Sequence, residues 1–149
     1  MQAGMPEDSR DLDMTSIPGD VYFHAPGVAS VKWDSVSAAV LVEWEGWASG
    51  PEFIALLDAG LKALDDHRGS RWLADCRRQK VLNPVDQDRA DREWLPKALA
   101  AGLTRFAVVL PASGLATMNL RERLGKVPSS RMRVGYFGTV AEARAWLAE

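Results

Sequence analysis

Few side chains in this sequence are grouped in a way that could do chemistry. The segment Asp75-Cys76-Arg77-Arg78 is the sharpest group, with a carboxylate, a thiol and two guanidinium groups in succession. Cationic neighbours favour a thiolate, so Arg77 and Arg78 would lower the pKa of Cys76 and ready it for nucleophilic or redox work. Such work also needs an adjacent base, and the histidines His24 and His67 lie far off in sequence. Free cysteine is among the most buried residue types, which makes an inert Cys76 the simpler expectation. Asp75 ends an apolar stretch, where open α/β sheets bind ligands, and could accept a ligand hydroxyl or amine. Pairing with Arg77, Arg105 or a backbone donor is the plainer reading, because buried acids seldom stay unpaired.

A second group is basic. Arg77, Arg78, Lys80, Arg121, Arg123, Lys126, Arg131 and Arg133 would form an anion site if their loops converged. Phosphate sites usually bring a glycine-rich loop to a helix start, and no G-x-G-x-x-G or G-K-S/T segment exists here. Solvated faces account for these charges more simply. A third group is aromatic. Of six tryptophans, Trp44, Trp72 and Trp146 fall on inward stripes and read as core. Trp47 follows Gly46 in a loop, and Trp94 sits on a helix beside the exit of the central strand. With Pro111 and Ser113, these two would rim an apolar pocket between helix and sheet. Core packing for Trp94, and a dimer contact or pocket rim for Trp47, are the plainer accounts. The candidate ligand-binding residues are therefore Trp47, Asp75, Cys76, Arg77, Arg78, Trp94 and Ser113. No catalytic set, cofactor motif or metal-ligand constellation accompanies them.

The elements that must position these residues follow from hydrophobic periodicity. Residues 71–75 and 105–110 read as buried strands with a helix carrying Trp94 between them, the pattern of a βαβ unit. Upstream, Val31-Lys32-Trp33 and Ala38 to Trp44 predict an antiparallel hairpin turning at Asp34-Ser35, with Val40, Val42 and Trp44 on one face. Val21-Tyr22-Phe23 is a candidate edge strand. Ser49-Gly50-Pro51-Glu52 predicts a capped helix start, and Phe53, Leu56, Leu57, Leu61 and Leu64 its inward stripe. His67 then lies at the helix end as a terminal charge rather than a catalyst. Asn83-Pro84-Val85-Asp86 opens a second helix, which Pro96 should kink or split. Ser113 to Val127 predicts a weaker helix with Leu120 and Leu124 inward and Arg121, Arg123 and Lys126 outward. Residues 132–137 read as a last strand, and Thr139-Val140-Ala141-Glu142 as a capping box for a terminal helix burying Ala143, Trp146 and Leu147.

Composition bounds the class. One domain with a sizeable core fits 149 residues at 47% hydrophobic, and a formal net charge of −2 argues against general nucleic-acid binding. Residues 1–20 are polar and acidic and predict a disordered tail, leaving 21–149 as the domain. Neither a membrane span nor a signal peptide is apparent, and one cysteine makes an internal disulfide impossible, so a cytoplasmic location is expected.

Several short motifs, in order, point to a family. They are Glu43-Trp44-Glu45-Gly46, the helix with Phe53, Trp72-Leu73-Ala74-Asp75, Pro84-Val85-Asp86-Gln87, Trp94-Leu95-Pro96 and Ala100-Ala101-Gly102-Leu103. Phe106-Ala107-Val108-Val109 with Pro111, and Glu142-Ala143-Arg144-Ala145-Trp146-Leu147, complete the set. From Val31 to Leu147 the chain resembles bacterial STAS-like proteins, a group related to CRAL-TRIO-like lipid-binding domains. The resemblance implies an α/β fold of order ββαβαβαβα, a mixed four- to five-stranded sheet covered by helices, and regulation or binding rather than turnover. STAS domains that act in partner switching carry a phosphorylatable serine just after the central strand. The matching positions here read Asp75-Cys76-Arg77-Arg78, and no serine or threonine follows until Thr104, so that switch is not carried over. The expected function is a non-catalytic module that binds a small apolar or amphipathic ligand or a protein partner. A thiol-dependent enzyme or redox sensor using Cys76, and a structural homodimer, are the alternatives.

Overall fold

The computed structural model describes residues 20–111 and 114–149, leaving out the side chain of Ala116. The tail expected over residues 1–20 therefore lies outside the described residues except for Asp20. Strands β1 (Val21–Ala25), β2 (Ala29–Asp34) and β3 (Ala39–Trp44) form an antiparallel meander. Strands β4 (Arg71–Asp75), β5 (Arg105–Val109) and β6 (Arg133–Phe137) then add one after another, each parallel to its predecessor. The result is an α/β fold built on one mixed six-stranded sheet in the order β1-β2-β3-β4-β5-β6. It has six strands rather than four or five because the edge segment Val21–Ala25 pairs along β2.

Parallel neighbours need a crossover, and each is made by a helix. Helix α1 (Gly50–His67) joins β3 to β4. Helix α2 (Pro84–Arg89), a π turn (Ala90–Trp94) and α3 (Leu95–Ala100) run on from one to the next between β4 and β5. Helix α4 (Gly114–Leu124) joins β5 to β6, and α5 (Val140–Leu147) follows β6. Side-chain alternation divides the core between the two sheet faces. Val40, Val42, Trp44, Trp72, Ala74, Phe106 and Val108 face α1, the α2–α3 segment and α4. Leu41, Leu73, Ala107 and Val109 face α5, through Ala143 and Leu147. Trp146, expected to be buried outright, is only partly so and packs beside Phe137. Among the described residues, no helix is long and apolar enough to cross a membrane.

The local signals account for most element ends. Asn83 caps α2 by accepting the backbone N–H of Val85 at 2.8 Å, and Thr139 caps α5 by accepting that of Glu142 at 3.1 Å. The capping box expected at Ser49 does not form, since its side chain makes no cap bond. The Gly50 N–H instead donates to the Asp86 carboxylate, 3.1 Å away at the start of α2. A carboxylate can serve a helix N-terminus better than a hydroxyl because its charge also meets the helix dipole. His67 stacks on the Trp33 ring with centroids 4.2 Å apart at the exposed end of α1.

Two features set the height of the helices above the sheet. Pro96 has no N–H to give to the carbonyl one turn back, so the helix widens into the π turn just before it. Helix α1 crosses the sheet at Gly60, where a Cβ would overlap the six-membered ring of Trp72. A Gly→Ala change inside a helix ordinarily stabilises by about 0.5–1 kcal/mol. Gly60→Ala is expected to do the reverse, destabilising by about 1–3 kcal/mol through overpacking, read as a lower urea midpoint with an unchanged slope.

Candidate functional site

A cavity opens above the carboxyl end of β4, between the sheet and the helices. Its floor is Val42, Ala74 and Cys76, flanked by the rings of Trp44, Trp72 and Phe106. Phe53, Leu56 and Leu57 of α1 form one wall, Ala90, Trp94 and Leu95 a second, and Leu120 and Leu124 of α4 a third. It leaves about 60 Å³ for the centres of water-sized bodies. One water needs roughly 10–15 Å³, so about four to six would fit.

The gap follows from residue size. Trp72 stacks on Phe106 with centroids 5.9 Å apart and meets the edge of Trp94 at 5.0 Å. Two residues further along β4, Ala74 points to the same face with a single methyl group, and Cys76 beyond it is small too. The rings hold the helices up, and nothing on the strand fills the space beyond them. Trp94 is fixed in turn by its indole Nε1–H, which donates to the Leu57 carbonyl at 2.9 Å. A buried tryptophan whose polar atom is satisfied makes a stable wall.

Polar groups reach this apolar space from one side. Gln79 lines it from the loop after β4, Asp91 from the π turn and Arg123 from α4. The Arg123 side chain is 19% exposed and that of Asp91 32%, with Nε and Oδ1 3.5 Å apart. The Arg123 Nε is buried and has no hydrogen-bond acceptor among the described residues. Sequence reasoning placed Arg123 on an outward face. The signal for its true position was the series Leu120, Arg123, Leu124, Val127, whose i, i+3, i+4, i+7 spacing sets Arg123 on the inward stripe.

The other sequence candidates divide between two faces of the sheet. Cys76 lines the cavity and Trp94 walls it. Asp75 points to the opposite face, where Arg77 Nε and Nη2 donate to its two oxygens at 2.9 and 2.8 Å. Arg77 and Arg78 are exposed, and Trp47 is 50% exposed in its loop, outside the cavity lining. Ser113 lies outside the described residues. Of the eight basic residues, Arg123, Lys126 and Arg131 converge on one depression beside the cavity. Arg121 instead lies over the Tyr136 ring and Arg133 over that of Trp146. Among the described residues, no three His, Cys, Asp or Glu side chains gather as a metal-binding group.

Electrostatics favour the inert reading of Cys76 over the reactive one. Burial pushes its thiol up to about 12, the Asp75 charge adds to the shift, and the Arg123 charge only partly opposes it. Arg77 does not lower it, because its guanidinium is held on Asp75 at the opposite face, and Arg78 is exposed to solvent. For Asp75, burial works to raise the pKa. The hydrogen bonds from the Arg77 side chain and backbone, and the charges of Arg77 and Arg78, outweigh it and hold the carboxyl below its usual value.

Two outcomes follow from these shifts. Cys76 in the folded protein is expected to react with iodoacetamide at neutral pH far more slowly than in urea, measured by mass spectrometry of timed samples. A folded-state rate matching the denatured one would contradict its burial. Asp75 binds its proton more weakly when folded than when unfolded, so its contribution to stability is complete above about pH 4 and fades as pH falls below that. Asp75→Asn is expected to cost about 1–3 kcal/mol at neutral pH and to flatten the acid limb of stability, as measured by urea melts from pH 7 to 2.5.

Comparison with protein-family models, with curated proteins and with solved structures finds no match to this chain.

Proposed function

We propose that this chain is a non-catalytic binding module, a cytoplasmic STAS-like protein that holds a small apolar or amphipathic ligand between its sheet and helices. The observation that carries the reading is the cavity above Ala74 and Cys76, a space at the carboxyl end of the central strands that the core leaves unfilled. Natural cores seldom leave room for several waters between apolar side chains, because each missing contact costs dispersion energy. Function is the usual reason such a space persists, and its position outside a parallel strand's carboxyl end suits a ligand. The π turn beside it adds support, since such turns often occur at functional sites. A mixed sheet covered by helices is also the architecture that a STAS-like resemblance implies. The two groups with the best claim to chemistry are otherwise engaged: Cys76 is buried as a neutral thiol, and Asp75 is bound by Arg77.

A second reading, docking of a protein partner or of a second copy, has its own observation. The segment after Gly46 runs beside the loop after Gln79, joined by the Lys80 N–H donating to the Gly46 carbonyl at 2.9 Å. Trp47, Val81 and Val85 stand exposed on this end at 50%, 40% and 75%. Light scattering on the eluting protein tests the homodimer, and a mass that stays monomeric across concentration removes it.

The ligand reading is tested by native mass spectrometry of protein purified without denaturation, together with Ala74→Leu. The larger side chain would occupy the floor of the cavity. A co-purifying mass in the parent, absent from a variant that melts at the same temperature or higher, is the expected result. A ligand-free parent whose melting point also fails to respond to a panel of small apolar compounds would overturn the reading.

A further inference from the structure

Resting on the binding-module reading, we propose that the ligand carries a carboxylate at one end, and that Arg123 anchors it. The body of the ligand is a short alkyl chain lodged in the cavity, or a single aromatic ring that reaches from it into the depression beside it. The class is therefore small aromatic or short-chain carboxylic acids.

Three independent observations bear on this. Arg123 sits in the wall common to the cavity and to the wider depression beside it, with its Nε buried and no acceptor among the described residues. A buried cationic donor without an acceptor is costly, and a carboxylate is the partner whose geometry fits the guanidinium fork. The depression itself, about 260 Å³, has a floor of Leu95, Leu99, Val127 and Pro128 and brings Arg123, Lys126 and Arg131 against a single acid, Asp91. Such a rim favours an anion at the mouth and an apolar group below it. Size is the third constraint. At about 60 Å³ the cavity is less than half the size of one that admits a benzene ring, roughly 150 Å³, so a long lipid chain does not fit inside and a ring must extend into the depression.

Asp91 has a defined part in this arrangement. It stands 3.5 Å from Arg123 on the π turn, close enough to offset the charge but too far to make a good hydrogen bond. It occupies the position a ligand carboxylate would compete for. Acid binding displaces the guanidinium from Asp91 toward the ligand, and removing the Asp91 charge makes that easier.

The test uses the full chain, with Trp44, Trp72 and Trp94 as fluorescent reporters in the cavity wall. Phenylacetate and hexanoate are titrated against 2-phenylethanol and hexanol, which match their bodies and lack the charge. The acids should bind at least about tenfold more tightly, the size of effect one charge-assisted bidentate contact supplies. In Arg123→Gln that preference for acids over alcohols should vanish. In Asp91→Asn, which keeps Arg123 in place, the acids should tighten severalfold and the alcohols should not change. Alcohols binding as well as acids to the parent protein would overturn the headgroup assignment and leave the cavity reading standing. Neither class binding would overturn both. If Arg123→Gln does not fold, Asp91→Asn decides, and an acid affinity unchanged there counts against the proposal.

Discussion

The close approach of Gly60 to Trp72 is the contact on which the rest of this structure depends. An indole is large, and a helix can lie over it only where it offers no side chain of its own. Gly60 supplies that place, and the remaining inward residues of α1, Phe53, Leu56, Leu57, Ala63 and Leu64, are buried on either side of it. Trp72 also stacks on Phe106 from the next strand and meets Trp94 edge-on, so three other elements of the fold register on one ring. Burial of an aromatic side chain of this size contributes several times what a methyl group does. The same ring fixes the spacing that leaves a cavity over Ala74.

A second constraint is the proline in the α2–α3 segment. Losing one backbone donor at Pro96 widens the preceding turn, and the extra residue in that turn rotates what comes before relative to what comes after. Trp94 is thereby set against α1, where its indole finds the Leu57 carbonyl, and Asp91 lies within reach of Arg123 on α4. The irregular turn thus brings one rigid wall and one charge to the same opening.

The two faces of the sheet serve different ends. His24, Ser30, Glu43 and Asp75 stand side by side across β1 to β4, on the face that α5 covers only in part. Lys32 pairs with Glu43 at 2.9 Å, Arg77 with Asp75 at 2.8 Å, and Arg144 of α5 with Asp34 at 3.0 Å. Such pairs solvate and orient that face; the exposed ones contribute little stability. Asp75 and Cys76, adjacent in sequence, serve opposite sides of the sheet, the first in this polar row and the second at the floor of the cavity.

Local patterns in the chain were enough to place the helices and five strands in order, while the edge strand Val21–Ala25 was settled only by its pairing with β2. Alternation in Ala39–Trp44, the caps at Asn83 and Thr139, and the disruption at Pro96 each depend on neighbours a few residues away. The cap at α1 was misread because its true partner, Asp86, lies in another helix. The site was harder to read for the same reason. Cys76 and Trp94 were legible as candidates from their place after a strand and on a helix, but the pKa of Cys76 depends on how completely helices cover it. Arg123 looked like one more solvated charge, although its spacing from Leu120 and Val127 set it inward. Periodicity reports which way a side chain points, because that is a property of a single helix or strand. Whether the space it points into is filled, and by what charge, is decided by three or four elements at once, and only the tertiary structure brings those together.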